Sequence, residues 1–509
     1  MVMCVLALDM DLRQLRQEAL AGHVSVKQLL DLIGKQQDTI QALRRENQRV
    51  QQRLAQYEPE VRNESAATPS PEAPLQSYSL DAEVKRRRGH KRRRNKSPGR
   101  RPTELKFQAA DRTEDVYPEG VRHRDCRLVR ERAVWRLENG RAVRVGYRIF
   151  AGPGGNEPRL PGVTPRCEYG IEILVVLAFL VYIIGISLDK ACAVLRFFCQ
   201  LPLAKSQADA LLRQLAHHWN KEFDTLCALI AYAAVVYMDE TGWKINDKNC
   251  SLWTFTAELQ RVFLFGCHKD AATLDKILPP DLFQGIGVSD DAAVYVDRFA
   301  WAQKCWAHLL RKAIRLALLY PRKRSYQRFL DRLLHLYYEA KRAAADQRLV
   351  EAGRKRRVAE LEGRLVEICE PYQRATAAGM KPHERDFTNL VNELMDLLYR
   401  EELFTFVLKP EVEATNNIAE RQQRSAALDR KAGRTSKSAA GAHRRSVIVS
   451  VLESLRANLQ QFTLANVLAE VRRWMDGGVS LFTQQWQALQ EKAAAAPAPS
   501  ARATAPNSS

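Results

Sequence analysis

Ala233 to Met238 form an unbroken apolar run that stops at Asp239-Glu240-Thr241-Gly242 (AAVVYMDETGW, 233–243). A short apolar run closed by turn residues predicts a buried strand. The carboxylates then stand where that strand leaves its sheet, and in open α/β sheets ligands gather outside the carboxyl ends of the strands. The stretch therefore predicts an α/β core with an acidic site at its edge, provided that the chain supplies partners.

The partners follow in order. Residues 251–258 (SLWTFTAE) and 261–268 (RVFLFGCH) read as two more strands, 270–278 as a helix, and 285–289 (GIGVS) as a short strand ending in Asp290-Asp291. A β-β-β-α-β order with an acid after its first and fourth strands matches the ribonuclease H-like fold, in which those two strands lie side by side. A third acid comes late, in EATNNIAER (413–421), where Asn416 or Asn417 caps a helix and Glu420 lies in its first turn. Each acid also has a plain structural reading. Asp290 or Asp291 suits a turn, and Glu420 has capping-box spacing from Asn417. Their joint placement on one fold is what favours a site.

Upstream, Val26, Leu29, Ile33, Gln36, Ile40, Leu43, Asn47, Val50, Leu54 and Tyr57 form a heptad seam with a polar core position at Asn47, which predicts a coiled-coil dimerisation arm over 1–57. Residues 58–104 read as a disordered basic linker. Within it, 85–101 holds eleven Lys or Arg and no acid, and Lys85, Arg86, Arg87, Arg88, Lys91, Arg92, Arg93 and Arg94 are candidates for phosphate neutralisation. Alternating runs such as RAVRVGYRIF (141–150) predict a small β-rich domain over 105–166. Residues 167–232 read as a helical subdomain of three short helices, resembling a helix-turn-helix, in which Ser206 caps a helix over 207–218. The core's first part spans 233–300, an all-helical insertion 301–412, and its second part 413–475. Residues 476–509 form a tail ending in low complexity.

Charge limits the partners. The 79 Lys and Arg against 59 Asp and Glu give +20 and a pI near 9.6, which favours polyanions. From 421 to 445 eight Lys or Arg face one acid, Asp429. Ten scattered cysteines without a Cys-x-x-Cys pair point to a reducing compartment. The first ten residues lack the basic flank and cleavage pattern of a signal peptide. The apolar run 173–188 has 16 residues, short of the ~20 that span a bilayer, so it reads as a buried helix rather than a membrane span.

Phosphodiester chemistry suits this set of acids. Two divalent ions about 3.5–4 Å apart activate an attacking oxygen and stabilise a leaving one, and Mg2+ binds through a few carboxylates plus substrate phosphate. Asp239, Asp290 and Glu420 are the candidate ligands. The segments MDETGW (238–243), VSDDAAVY (288–295), CWAHLLRKA (305–313) and TNNIAER (415–421) resemble, in order, the signatures of bacterial DDE transposases of the insertion-sequence sixty-six family. The resemblance runs from about residue 26 to 474. It implies a multidomain α/β protein: a ribonuclease H-like core interrupted by a helical insertion and preceded by a coiled coil and a basic linker. It further implies cleavage and strand transfer at transposon ends with two Mg2+ or Mn2+ ions, a homodimer, and a bacterial cytoplasmic location on DNA. Asp239, Asp290 and Glu420 take the places of the catalytic triad, with Asp291 the rival of Asp290. Cys305 and His308 match a Cys-x-x-His signature near transposon DNA, and Arg421, Arg424, Arg430, Lys431, Arg434 and Lys437 complete the implied DNA-binding set. One departure stands out: where the family carries a cysteine-rich zinc module, this chain keeps only Cys126 and Cys167. Related classes are a structure-specific nuclease on the same fold and a DNA-binding protein that has lost catalysis.

Overall fold

The computed structural model describes residues 102–246, 248–374 and 379–495. The expected coiled coil, most of the linker and the basic run 85–101 lie outside the described residues. The described part is a mixed α/β structure of fourteen α-helices and two sheets.

After helix α1 (Thr103–Gln108), strands β1 (Arg112–Val116), β2 (Arg127–Glu138) and β3 (Arg141–Ala151) form a sheet in the order β1-β3-β2. The β2–β3 hairpin turns on Asn139 and Gly140, both at positive φ, the pairing that matches a tight turn to strand twist. Val134, Val145, Tyr147, Ile149 and Leu160 make its small core. Cys126 and Cys167 are free thiols.

The apolar run forms α2 (Ile171–Ala178) and one π-helical turn (Phe179–Ile183). It is buried in the main core, and among the described residues no helix is long and apolar enough to cross a membrane. Ser187 caps α3 (Leu188–Cys199), and Gln200 in the left-handed region ends it. The helix expected over 207–218 is instead α4 (Lys205–Ala231), 27 residues long. No breaker follows His218, and Leu211, Leu215, Trp219, Phe223, Leu226 and Ile230 continue one buried stripe.

The second sheet has the order β6-β5-β4-β7-β8, made of β4 (Val235–Ile245), β5 (Lys248–Thr256), β6 (Arg261–Cys267), β7 (Ile286–Ser289) and β8 (Trp301–Lys304), with the short helix α5 (Ala271–Asp275) between β6 and β7. The three N-terminal strands are antiparallel, and β7 and β8 continue parallel to β4. Two sequence expectations change here. The strand read as ending at Met238 continues to Ile245, because β5 pairs with it through Lys248; Thr241-Gly242 is not a turn. And β8 lies inside a stretch read as helical. It carries no apolar pattern, since Gln303 and Lys304 are fully buried polar residues. Gln303 is satisfied by Leu403 O (3.1 Å) and by Phe406 N–H (3.0 Å).

The insertion is then α6 (Trp306–Leu319), α7 (Arg324–Ala345), α8 (Glu351–Cys369), α9 (Pro382–Tyr399) and the single turn α10 (Thr405–Leu408). On α8, Val358, Leu361, Leu365 and Ile368 are buried on one face. The chain closes with α11 (Asn417–Lys431), α12 (Ala439–Asn458), α13 (Leu464–Met475) and α14 (Leu481–Ala495).

Helix α12 shields the open edge of the sheet. Ser446, Ser450 and Ser454 accept the outward N–H groups of Phe265 (2.9 Å), Phe263 (2.8 Å) and Arg261 (2.9 Å). Four helical residues rise ~6 Å and two strand residues ~6.8 Å, so the two spacings keep step. The edge donors are thus paired inside the molecule, where an exposed edge would invite other strands. Ser450→Ala leaves the buried Phe263 N–H without a partner and is expected to cost about 1–3 kcal/mol, read as a lower urea midpoint at unchanged m value. An unchanged midpoint would show that the hydroxyl adds nothing.

Candidate active site

The acidic site is built by strand register. Val235, Val236 and Tyr237 of β4 pair in parallel with Ile286, Gly287 and Val288 of β7. The same offset, carried two residues on, sets Asp239 level with Asp290. The β7 ladder stops at Ser289, while Asp239 stays clamped to Thr254 of β5. Asp239 therefore sits on a rigid strand whose β7 side has just opened. Gly285 allows this close approach, since a Cβ there would lie 2.3 Å from Ala233 O.

Side chains alternate along a strand, so Asp239 and Glu240 part company. Glu240 accepts from the Tyr295 hydroxyl and pairs with Lys269. Asp290 is steadied by its own turn, accepting from Ala292 N–H at 3.1 Å. Asp291 faces elsewhere: it bonds Glu393 on α9, which also holds Lys312, and its charge acts on Lys304 and Glu402. Of the two rivals, Asp290 is the one that raises Asp239.

Glu420 arrives from α11. Asn416 precedes that helix, fully buried, and its side chain donates to Met238 O (2.5 Å), one residue before Asp239. Its N–H donates to Cys305 Sγ at 3.2 Å. Asn416 thus bolts the helix start to the acidic strand instead of capping the helix, and the capping box anticipated for Glu420 does not form. The Glu420 carboxylate takes a bond from Arg311 Nη2 (2.9 Å) and stands 3.6 Å from His308 Nδ1.

Burial first, then the charges of Glu240, Asp290 and Glu420, push the Asp239 carboxyl up to about 7. Burial likewise raises Glu240 and lowers His308. The buried Lys304 ammonium, lowered by burial, lies by Ser289 Oγ (3.4 Å) and Glu402 (3.8 Å) under the two aspartates. A set of carboxylates that repel one another and draw protons is short of positive charge. Oxygen donors of this kind fit a hard divalent cation. Among the described residues, though, the cluster with ligand atoms all within 4.8 Å is Cys305, His308 and Glu420. Glu420 is drawn there by Arg311.

The remaining candidates divide. Cys305 is 1% exposed, and its thiol serves Asn416, so the expected DNA contact is corrected to a structural role. His308 is partly exposed. Arg421, Arg424 and Lys431 are exposed on one face of α11, and Lys437 is exposed beyond it. Arg430 donates to Thr241 Oγ1 (3.0 Å) and Gly242 O (2.6 Å), and Arg434 bonds Asp429 (3.0 Å). Lys85 to Arg94 lie outside the described residues. Sequence reading missed Lys304, Arg311, Asn416, Lys269 and Tyr295 as parts of the site. Only Arg311 had a signal, its helical spacing of three from His308.

Compared with known proteins, residues 166–444, more than half of the chain, match the family model described as transposase IS66 family. No curated protein matches the chain.

Proposed function

This chain belongs to the transposase IS66 family, and on that premise we propose that it binds the terminal inverted repeats of an insertion sequence and catalyses strand cleavage and transfer. The observation that carries the reading is the parallel register that levels Asp239 with Asp290, together with a helix start bolted beside them that bears Glu420. The five-strand order, three antiparallel and two parallel, supports a ribonuclease H-like core.

In strand transfer the 3′-hydroxyl oxygen of the element forms a bond to a target phosphorus, and the target's own 3′ oxygen leaves. Mg2+ or Mn2+ ions, two by expectation, would be held by Asp239, Asp290 and Glu420 and would supply activation of the attacking oxygen and charge stabilisation of the leaving one. The protein's share is positioning. Strand β4 fixes Asp239, the Asp290 turn fixes its partner, and Asn416 sets the helix. Arg311 holds Glu420 until phosphate oxygens compete for its guanidinium, and Arg421, Arg424 and Lys431 take backbone phosphates along α11. The coiled coil would join two copies, on DNA in the bacterial cytoplasm.

The test is the product. Full-length protein with Mg2+ and the inverted repeats that flank its own gene is expected to join a pre-cleaved 3′ end to target DNA. Hydrolysed ends without joined product would make the chain a nuclease. Binding without either product would make it a DNA-binding protein.

A further inference from the structure

A cavity of about 600 Å3 lies between the start of α4, the π-helical turn, and the loop that leads from α11 into α12. Its ionisable lining is two carboxylates and five cations, apart from the Tyr182 phenol. The carboxylates are each shared. Asp209 takes Arg444 Nη1 at 2.8 Å and Arg213 Nη2 at 3.2 Å. Asp429 takes Arg434 Nε at 3.0 Å and Arg445. Each Arg–Asp–Arg group keeps one surplus positive charge, and exposed Lys437 adds a third.

That surplus is partly desolvated. Asp429 and Arg445 are 4% and 8% exposed. The Arg445 guanidinium packs on the Trp243 and Phe265 rings (4.9 and 5.1 Å). The Nε atoms of Arg444 and Arg445 are buried without a hydrogen-bond partner. Buried charge is costly unless it is paired and hydrogen-bonded, and here the pairing is short by an anion. The twenty-residue helix α12 also opens at this cavity, and helix N-termini favour negative charge.

We infer that this cavity grips a backbone phosphate of DNA, as an anchor separate from the carboxylate site; the inference rests on the DNA-processing role proposed above. Its loop is fastened to the catalytic strand. Asn246 N–H donates to Ser436 O (2.9 Å), and Trp243 Nε1 donates to Ser436 Oγ (3.2 Å). From Asp239 to Asn246 an extended strand covers roughly 20 Å, or about six base pairs of duplex. An anchored phosphate thus stands about six base pairs from the one at the carboxylates. The rim cations reach outward, Arg213 being 67% exposed, as contact with a long polyanion requires.

The test uses full-length protein and a fluorescein-labelled duplex of random sequence, titrated by anisotropy over a salt series. The double variant Arg213→Ala/Lys437→Ala is expected to bind with a log–log salt slope shallower by about 1.8, since each phosphate contact contributes ~0.9. Lys437→Arg is expected to keep the wild-type slope. Both side chains are exposed, and an unchanged melting curve checks the fold. A wild-type slope in the double variant overturns the anchor and leaves the transposase reading standing. A wild-type protein that binds no duplex overturns both.

Discussion

Asp239→Asn is expected to abolish strand joining, by at least about 10³-fold, and at the same time to make the ion-free protein more stable above neutral pH. The first effect follows because Asp239 is the rigid member of the proposed ligand set. A lost ligand removes several kcal/mol of charge stabilisation, and each 1.36 kcal/mol is tenfold in rate. The second follows from the carboxyl standing at about 7 instead of its ordinary 3.8. The folded state holds this proton more tightly than the unfolded chain does. The wild type therefore loses stability as pH rises from about 4 to about 7, and the penalty is constant above that. Asparagine cannot ionise, so the variant escapes the loss. Melting curves in EDTA at pH 5 and pH 8 should show the gap between variant and wild type widening with pH. Joining that survives the substitution removes Asp239 from the mechanism; a gap that is the same at both pH values removes the repulsion argument.

The second large effect separates neighbours. Asp290→Asn should match the loss at Asp239, whereas Asp291→Asn should keep joining within about tenfold, a gap of more than 1.36 kcal/mol in barrier. The offset that pairs Tyr237 with Val288 sets Asp290, not Asp291, beside Asp239. Asp291 lies with Glu393, and removing one of two bonded acids relieves repulsion there. The assay is the same joining reaction. Equal losses at both positions would mean that the chain past Ser289 does not keep the strand's register.

The acidic strand was legible because burial and chemistry pulled its residues apart so sharply. An apolar run from Ala233 to Met238 has nowhere to go but a core, and adjacent acids mark where the sheet meets solvent. The glycines of 285–289 announced a strand in close contact. Strand β8 was illegible because Gln303 and Lys304 are buried through hydrogen bonds and an ion pair, which leave no hydrophobic period. The serines at 446, 450 and 454 share a helical face in sequence, but only the neighbouring edge strand tells what they satisfy.

Residue order alone determined the ordered motifs, the basic character and the three acids proposed for the site, since each is a matter of side-chain type and spacing. Tertiary structure decided which acids meet. Asp239 remains the organising residue, yet it does not end its strand: β5 carries β4 onward, and the site opens because β7 is short. The choice of Asp290 over Asp291 rests on a parallel register between strands fifty residues apart. The seating of Glu420 rests on Asn416 reaching Met238 O across 178 positions of chain. Contacts at such separation depend on how elements pack, and no local pattern encodes them.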